Sequence, residues 1–249
     1  MVGVTGPLTP AQAAAATKQG IGDFGFAWMA DPAGRARGKA ELGLRGRPLY
    51  HLGRCGVLGD GPVEVVVAVE AFFPPAVVRA AWEEGRALVE PHVAAAFYAG
   101  LCADHARGRF ADSPDTARLV HLVEHVVDAA PSAGLPLFAG WRALPRPDDA
   151  PGRLGLLLNC LREHRGSVHA AAVAAVGLGP LEAIVAGSHG EANARFFEWP
   201  EPYPDPDVHR ARWDAAEDLT AAAAGLPYDA LSSGERAELV DLLSAALGT

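Results

Sequence analysis

Two short segments carry the side chains best suited to acid–base chemistry. One holds Glu163-His164-Arg165 with His169 a helical turn further on, and the other holds Arg47, His51 and Arg54. Histidine moves protons near neutral pH, and the planar arginine fork holds a carboxylate, an enolate or a phosphate. His169, His164 and Arg165 are therefore the catalytic candidates. His51, Arg47, Arg54 and Glu163 are ligand-binding candidates, joined by His189 and by Trp199 of an aromatic, proline-rich loop. A structural role competes with this reading: an arginine at a helix end caps carbonyls, and a histidine in the next turn hydrogen-bonds a neighbour and fixes a corner.

The two segments echo one another. Arg47-x3-His51-x9-Gly61-Pro62-x-Glu64 recurs without a gap as Arg165-x3-His169-x9-Gly179-Pro180-x-Glu182, and Gly59 matches Gly177. Trp82 is matched by Trp213 once an insertion is allowed. The pattern predicts a duplicated unit, with the His/Arg pairs of both copies approaching one cavity at the junction of the halves.

Other motifs say less. His121-Leu-Val-Glu124-His125 has the H-x-x-E-H order of a zinc-binding helix. Leu119, Leu122, Val123 and Val126 form an apolar face, however, and His121 and His125 fall opposite it, so a solvated polar face explains them and no metal ligand is assigned. Gly20-Ile-Gly22-Asp-Phe-Gly25 spells G-x-G-x-x-G without a strand before it. No cofactor class is indicated.

These side chains must be carried by helices. Thr9-Pro10 opens one, and further helices are predicted over 32–41, 48–57, 62–72, 76–100 with a break near Pro91, and 114–130 after the cap Asp112-Ser113-Pro114. A leucine-striped helix over 152–165 is expected to end at Gly166. Ser167 then caps another over 167–176, followed by helices over 180–188, 208–224 and 233–247, the last opened by Ser232-x-x-Glu235. Residues 131–151 and 196–207 read as proline-rich connections, residues 1–20 as an arm, and 225–232 as a small hairpin wing. The fold class predicted is mainly α: two helix-turn-helix, winged-helix-like halves, 1–110 and 111–249, forming one bilobed unit.

The chain resembles an actinobacterial family of similar length known only as helix-turn-helix and without an assigned activity. The resemblance rests on Arg47-Pro48-Leu49-Tyr50 through Trp82, on Leu161 through His169, and on Leu231 through Arg236. Family members carry an aspartate where this chain has Ser167. A bacterial secondary-metabolic setting is implied by the resemblance alone.

Composition narrows the partners. With 249 residues, half of them hydrophobic, the chain can bury a large core. A net charge of −9 disfavours phosphate backbones and acidic membranes. The helices expected to enter a DNA groove, from Pro62 and Pro180, contain no Lys or Arg and each opens with a Glu. The basic stretch from Arg35 to Arg47 is the one alternative contact surface. Three isolated cysteines and the lack of an apolar leader point to a reducing cytoplasm. The function expected is small-molecule binding between the halves, with His/Arg turnover as an extension and a winged-helix transcriptional regulator as the alternative. The partner is a small-molecule ligand, with DNA disfavoured, no membrane, and a homodimer left open.

Overall fold

A computed structural model describes residues 8–248. They form thirteen α-helices and two 3-10 turns, and no strand occurs among the described residues. The part of the predicted arm at residues 1–7 lies outside them. From Thr9 on, the supposed arm is the start of helix α1 (Pro10–Ala30), opened by a capping box in which Thr9 and Gln12 bond each other's backbone. The G-x-G-x-x-G stretch lies inside this helix and is no phosphate loop.

Proline at the first turn starts α2 (Pro32–Leu42), α5 (Pro75–Arg86), α6 (Pro91–Arg109) and α7 (Pro114–Ala129). Between them, α3 (Gly46–Cys55) leads through a 3-10 turn (Gly56–Leu58) into the short α4 (Val63–Val69), which is helical despite its valines. Residues 131–151 are not all connection. They contain α8 (Pro136–Arg142), which buries Leu137, Phe138 and Trp141 completely or nearly so.

The main departure from expectation is α9 (Ala150–Ala175), a single helix of 26 residues where the sequence predicts a break at Gly166 and a cap at Ser167. At 1.5 Å per residue it is about 39 Å long. A mid-helix glycine costs about 1 kcal/mol. Packing of α9 against α1, α6, α7, α8 and the later α12 outweighs that cost. The leucine stripe is also wider than predicted: every residue from Leu154 to Leu161 is buried, so this half of α9 is a central core helix rather than an amphipathic one.

Beyond α9 the chain turns by 105° at Gly177 into α10 (Pro180–Ala186). That angle is typical of a helix-turn-helix corner. Gly177 and its echo Gly59 both hold positive φ, 70° and 78°, which is why both turns use glycine. The first echo begins a helix at Arg47, whereas the second lies within one at Arg165.

A short α11 (Gly190–Phe196), α12 (Pro206–Gly225) and α13 (Ser233–Leu247) complete the chain. The predicted wing at 225–232 is a 3-10 turn (Leu226–Ala230) whose Tyr228 hydroxyl lies 3.0 Å from Thr17 Oγ1. The main core runs from Ala13 to Leu243 and draws on both predicted halves, and two smaller ones form around α10. No single described helix is long and apolar enough to cross a membrane.

Gly166→Ala tests the continuity of α9, because a Cβ there meets no atom within 4 Å. Urea denaturation should show a gain of about 0.5–1 kcal/mol; a loss would indicate a glycine-dependent corner.

Candidate functional site

The site is organised by spacing along α3. Tyr50 and Arg54 are one turn apart and line a cleft, while His51 and Cys55, also one turn apart, point into the interior. Arg54 grips Glu163 of α9 with two parallel hydrogen bonds, Nε to Oε1 at 3.0 Å and Nη2 to Oε2 at 2.7 Å. Its third bond runs from Nη1 to Glu70 Oε2 at 2.6 Å. Both carboxylates are almost wholly buried. Arg162 donates to Glu163 Oε1 at 2.7 Å, so two guanidinium groups face two carboxylates and the charges cancel.

Glu70 closes α4 and takes a further bond from the Cys55 thiol at 3.1 Å. Burial pushes its carboxyl upward, but Arg54, His51 and Cys55 together outweigh burial and hold it down at about 2. Burial, reinforced by Glu70, pushes the Cys55 thiol well above its usual range. Cys55 is therefore a hydrogen-bond donor here and not a nucleophile. His51 is fully buried with Nδ1 3.1 Å from Glu70 Oε1. The alignment is poor, and neither ring nitrogen has a well-directed hydrogen bond.

In front of this network lies a cleft of about 350 Å³, bounded by α1, α3, the link from Glu70 to Phe73, α9, Phe197 and Tyr228. His164 faces it from α9, only 2% exposed and edge-on to Phe138. Burial, and then the charge of Arg142, lowers its pKa to about 4, so its imidazole is neutral at pH 7. Gly25 of α1 lets Arg162 reach the cleft, since a Cβ at that position would lie 2.4 Å from Arg162 Cδ.

A second ion cluster borders the same cleft. Glu217 of α12 accepts from Lys18 at 2.7 Å and from Arg165 at 2.9 Å, both on the same oxygen. His169 lies beside it, not in the cleft. Its Nδ1 is 3.0 Å from Thr220 Oγ1, and because the Thr220 hydroxyl already donates to the Ala216 carbonyl, the imidazole is the donor. Its ring stacks on the far side of Phe72. Burial lowers its pKa against the pull of Glu217, and Arg165 and Lys18 lower it further.

Of the residues singled out by sequence, Arg54, His164 and Arg165 thus share one cleft, with Glu163 and His51 directly behind it and His169 behind Phe72. The others stand apart. Arg47 pairs with Glu198 at 2.6 Å and the Phe196 carbonyl, Trp199 Nε1 donates to the Phe72 carbonyl at 2.9 Å, and His189 is exposed before α11. The echoed acids play different parts, since Glu64 pairs with Arg79 whereas Glu182 caps the Gly179 amide. Glu124 of the H-x-x-E-H sequence is bound by Arg146 at 2.6 Å, and its histidines are exposed.

Sequence reasoning missed Glu70, Glu217, Lys18, Tyr50 and the wall of Phe72 and Phe73. A carboxylate ending the valine-rich segment just before Pro74-Pro75 was the available signal for Glu70.

The 105° corner between α9 and α10, turned at Gly177, has the geometry of a helix-turn-helix. Residues 17–212, most of the chain, match the helix-turn-helix family, and the protein is a member of it. No curated protein and no solved structure matches it.

Two of the shifted groups at the cleft, Glu70 and His164, give a pH dependence. Glu70 has its folded pKa held below the ordinary 4.5, so its stabilisation is complete above that value and is lost as pH falls from 4.5 towards 2. For His164 the unfolded chain takes the proton first, so stability is lost between pH 6.5 and 4. Urea unfolding against pH should show both declines, and His164→Asn should make the upper one shallower, leaving the part that comes from His169. An unchanged upper slope would mean that His164 is not held neutral.

Proposed function

We propose that the protein binds a small organic molecule in the cleft between α1, α3 and α9. The observation that carries this reading is an open cleft of about 350 Å³ with a neutral, nearly buried His164 facing it among aromatic walls. Ligand sites are typically apolar hollows of about 300–1,000 Å³ with a few placed polar groups. The surrounding ion pairs hold Arg54 and Tyr50 in position without a ligand, which lowers the ordering cost of binding. Acid–base turnover, as an extension, would use His164 as the proton acceptor and Arg54 or Arg165 to hold the developing charge.

The helix-turn-helix corner favours a second reading, DNA binding. Against it, α10 buries Ala183 to Ala186, and its partly exposed first turn offers Glu182 and no Lys or Arg to a major groove. On α4 the exposed Glu64 is engaged by Arg79, and in the basic stretch Arg37 is paired with Glu41 and Asp104.

Gly22 gives the test. It lines the cleft, and a Cβ there meets nothing within 4 Å. Gly22→Leu should keep or raise the melting temperature, because leucine favours a helix interior by roughly 1 kcal/mol over glycine. In a saturation-transfer NMR screen of small fragments, wild type should give hits that the variant loses; identical hits in both, or none in wild type, would overturn the reading. Gel shifts on genomic fragments at low salt should show no retardation at micromolar protein, and a discrete retarded species would restore the DNA role.

A further inference from the structure

We propose that the ligand is an organic anion with an aromatic body, its acidic group seated between Lys18 and Arg165. This rests on the cleft being a ligand site, as proposed above, and adds the charge and shape of what enters.

The two ends of the cavity differ in charge balance. At the inner end of the cleft, Arg54 and Arg162 are matched by Glu70 and Glu163, which leaves no net charge to attract an ion. At the α1/α12 side, Lys18 and Arg165 both contact the same oxygen of Glu217, so two cations share one carboxylate. Among the described residues, Glu217 is the one acid within ion-pair distance of either cation; Asp23 also lines the cleft, but its carboxylate accepts from the Gln19 amide at 3.0 Å and pairs with neither of them. The third group beside Glu217, His169, has its pKa lowered partly by the charges of Arg165 and Lys18, and it points its Nδ1–H at Thr220. An imidazole is neutral or cationic, so His169 offers no negative charge and the two cations remain against one carboxylate.

Both cations line the cleft and retain unused donors. Arg165 uses one N–H of its five and Lys18 one of its three in the Glu217 pair. An incoming carboxylate, sulfonate or phosphate would complete a two-cation, two-anion arrangement like that formed at the other end by Arg54, Arg162 and their glutamates. Partial burial of Arg165 keeps that attraction from being screened as it would be on an open surface.

The shape follows from the facing walls. Tyr50, Phe72, Phe73 and Phe197 come from three separate segments, and Tyr228 closes the side next to α1. Phe73 and Phe197 already meet edge to face at 4.7 Å. Such walls favour a flat ring that can stack or meet edges. A helical turn of small residues, Gly166 and Ala170 on α9, leaves the space between the aromatic wall and the cations clear.

Calorimetry at pH 7 and low salt with 2-naphthoate and its neutral isostere 2-naphthamide tests the proposal. Wild type should bind naphthoate at least ten-fold more tightly. The double variant Lys18→Met with Arg165→Met should bring that ratio close to one while still binding naphthamide, and Gly22→Leu should abolish both. Equal affinities in wild type would overturn the anion seat and leave the cleft as a neutral site. Binding of neither compound, or naphthoate binding that survives Gly22→Leu, would overturn the cleft reading with it. If the double variant unfolds, Arg165→Gln alone should still lower the ratio at least three-fold, and an unchanged ratio would refute the seat.

Discussion

The bidentate grip of Arg54 on Glu163, extended to Glu70, is the constraint around which the rest is arranged. It locks α3 to α9, 109 residues away in the chain, and ties both to the end of α4. Burying two carboxylates with an arginine is expensive, and such clusters are often no more stabilising than apolar replacements of equal volume. Their value here lies in orientation. An arginine fork accepts a carboxylate in one plane, so α3 cannot rotate or slide on α9 without stranding a buried charge. Tyr50 faces the cleft because Arg54, one turn along the same helix, is held.

That grip also explains why α9 has to be unbroken. Glu163, His164 and Arg165 sit just before Gly166, while His169 reaches Thr220 of α12 from beyond it. A corner at Gly166 would swing His169 and the cleft wall of Gly166, Ser167 and Ala170 away from Glu163 and Arg165. A continuous helix fixes their separation, so the inner end of the cleft and its charged side keep a constant geometry. Rigidity comes from packing on five neighbouring helices and not from local preference, since Gly166-Ser167 is a poor sequence for a helix interior.

The sequence was legible where structure is decided locally. Helix starts at Pro10, Pro32, Pro114 and Ser233 follow from caps and first-turn prolines that act within three residues. Mainly α character followed from the same signals. Short helices such as α8 and α11, and the 3-10 turn in place of a wing, were not legible, because segments of five to seven residues owe their conformation to what they pack on. The cleft was half legible. Arg54, His164 and Arg165 stood out by type, but nothing local tells which face of α3 or α9 looks outward, so His51 and His169 were grouped with them although they point elsewhere. Glu70 and Glu217 were hidden for the opposite reason: an acid at a helix end or among other acids is inconspicuous until its distant arginine is known.

The hydroxyl contact between Thr17 and Tyr228 bears on how the cleft could diversify. The match to the family ends at residue 212, yet Ala224 and Tyr228 form one side of the cleft, and α13 beyond them packs on α1. The Arg54 network therefore lies within the shared segment, while Glu217 and part of the cleft wall lie outside it. Frame and cleft wall are separable in the chain: a change at Tyr228 alters the shape of the cleft without touching a single charge of the Arg54 network.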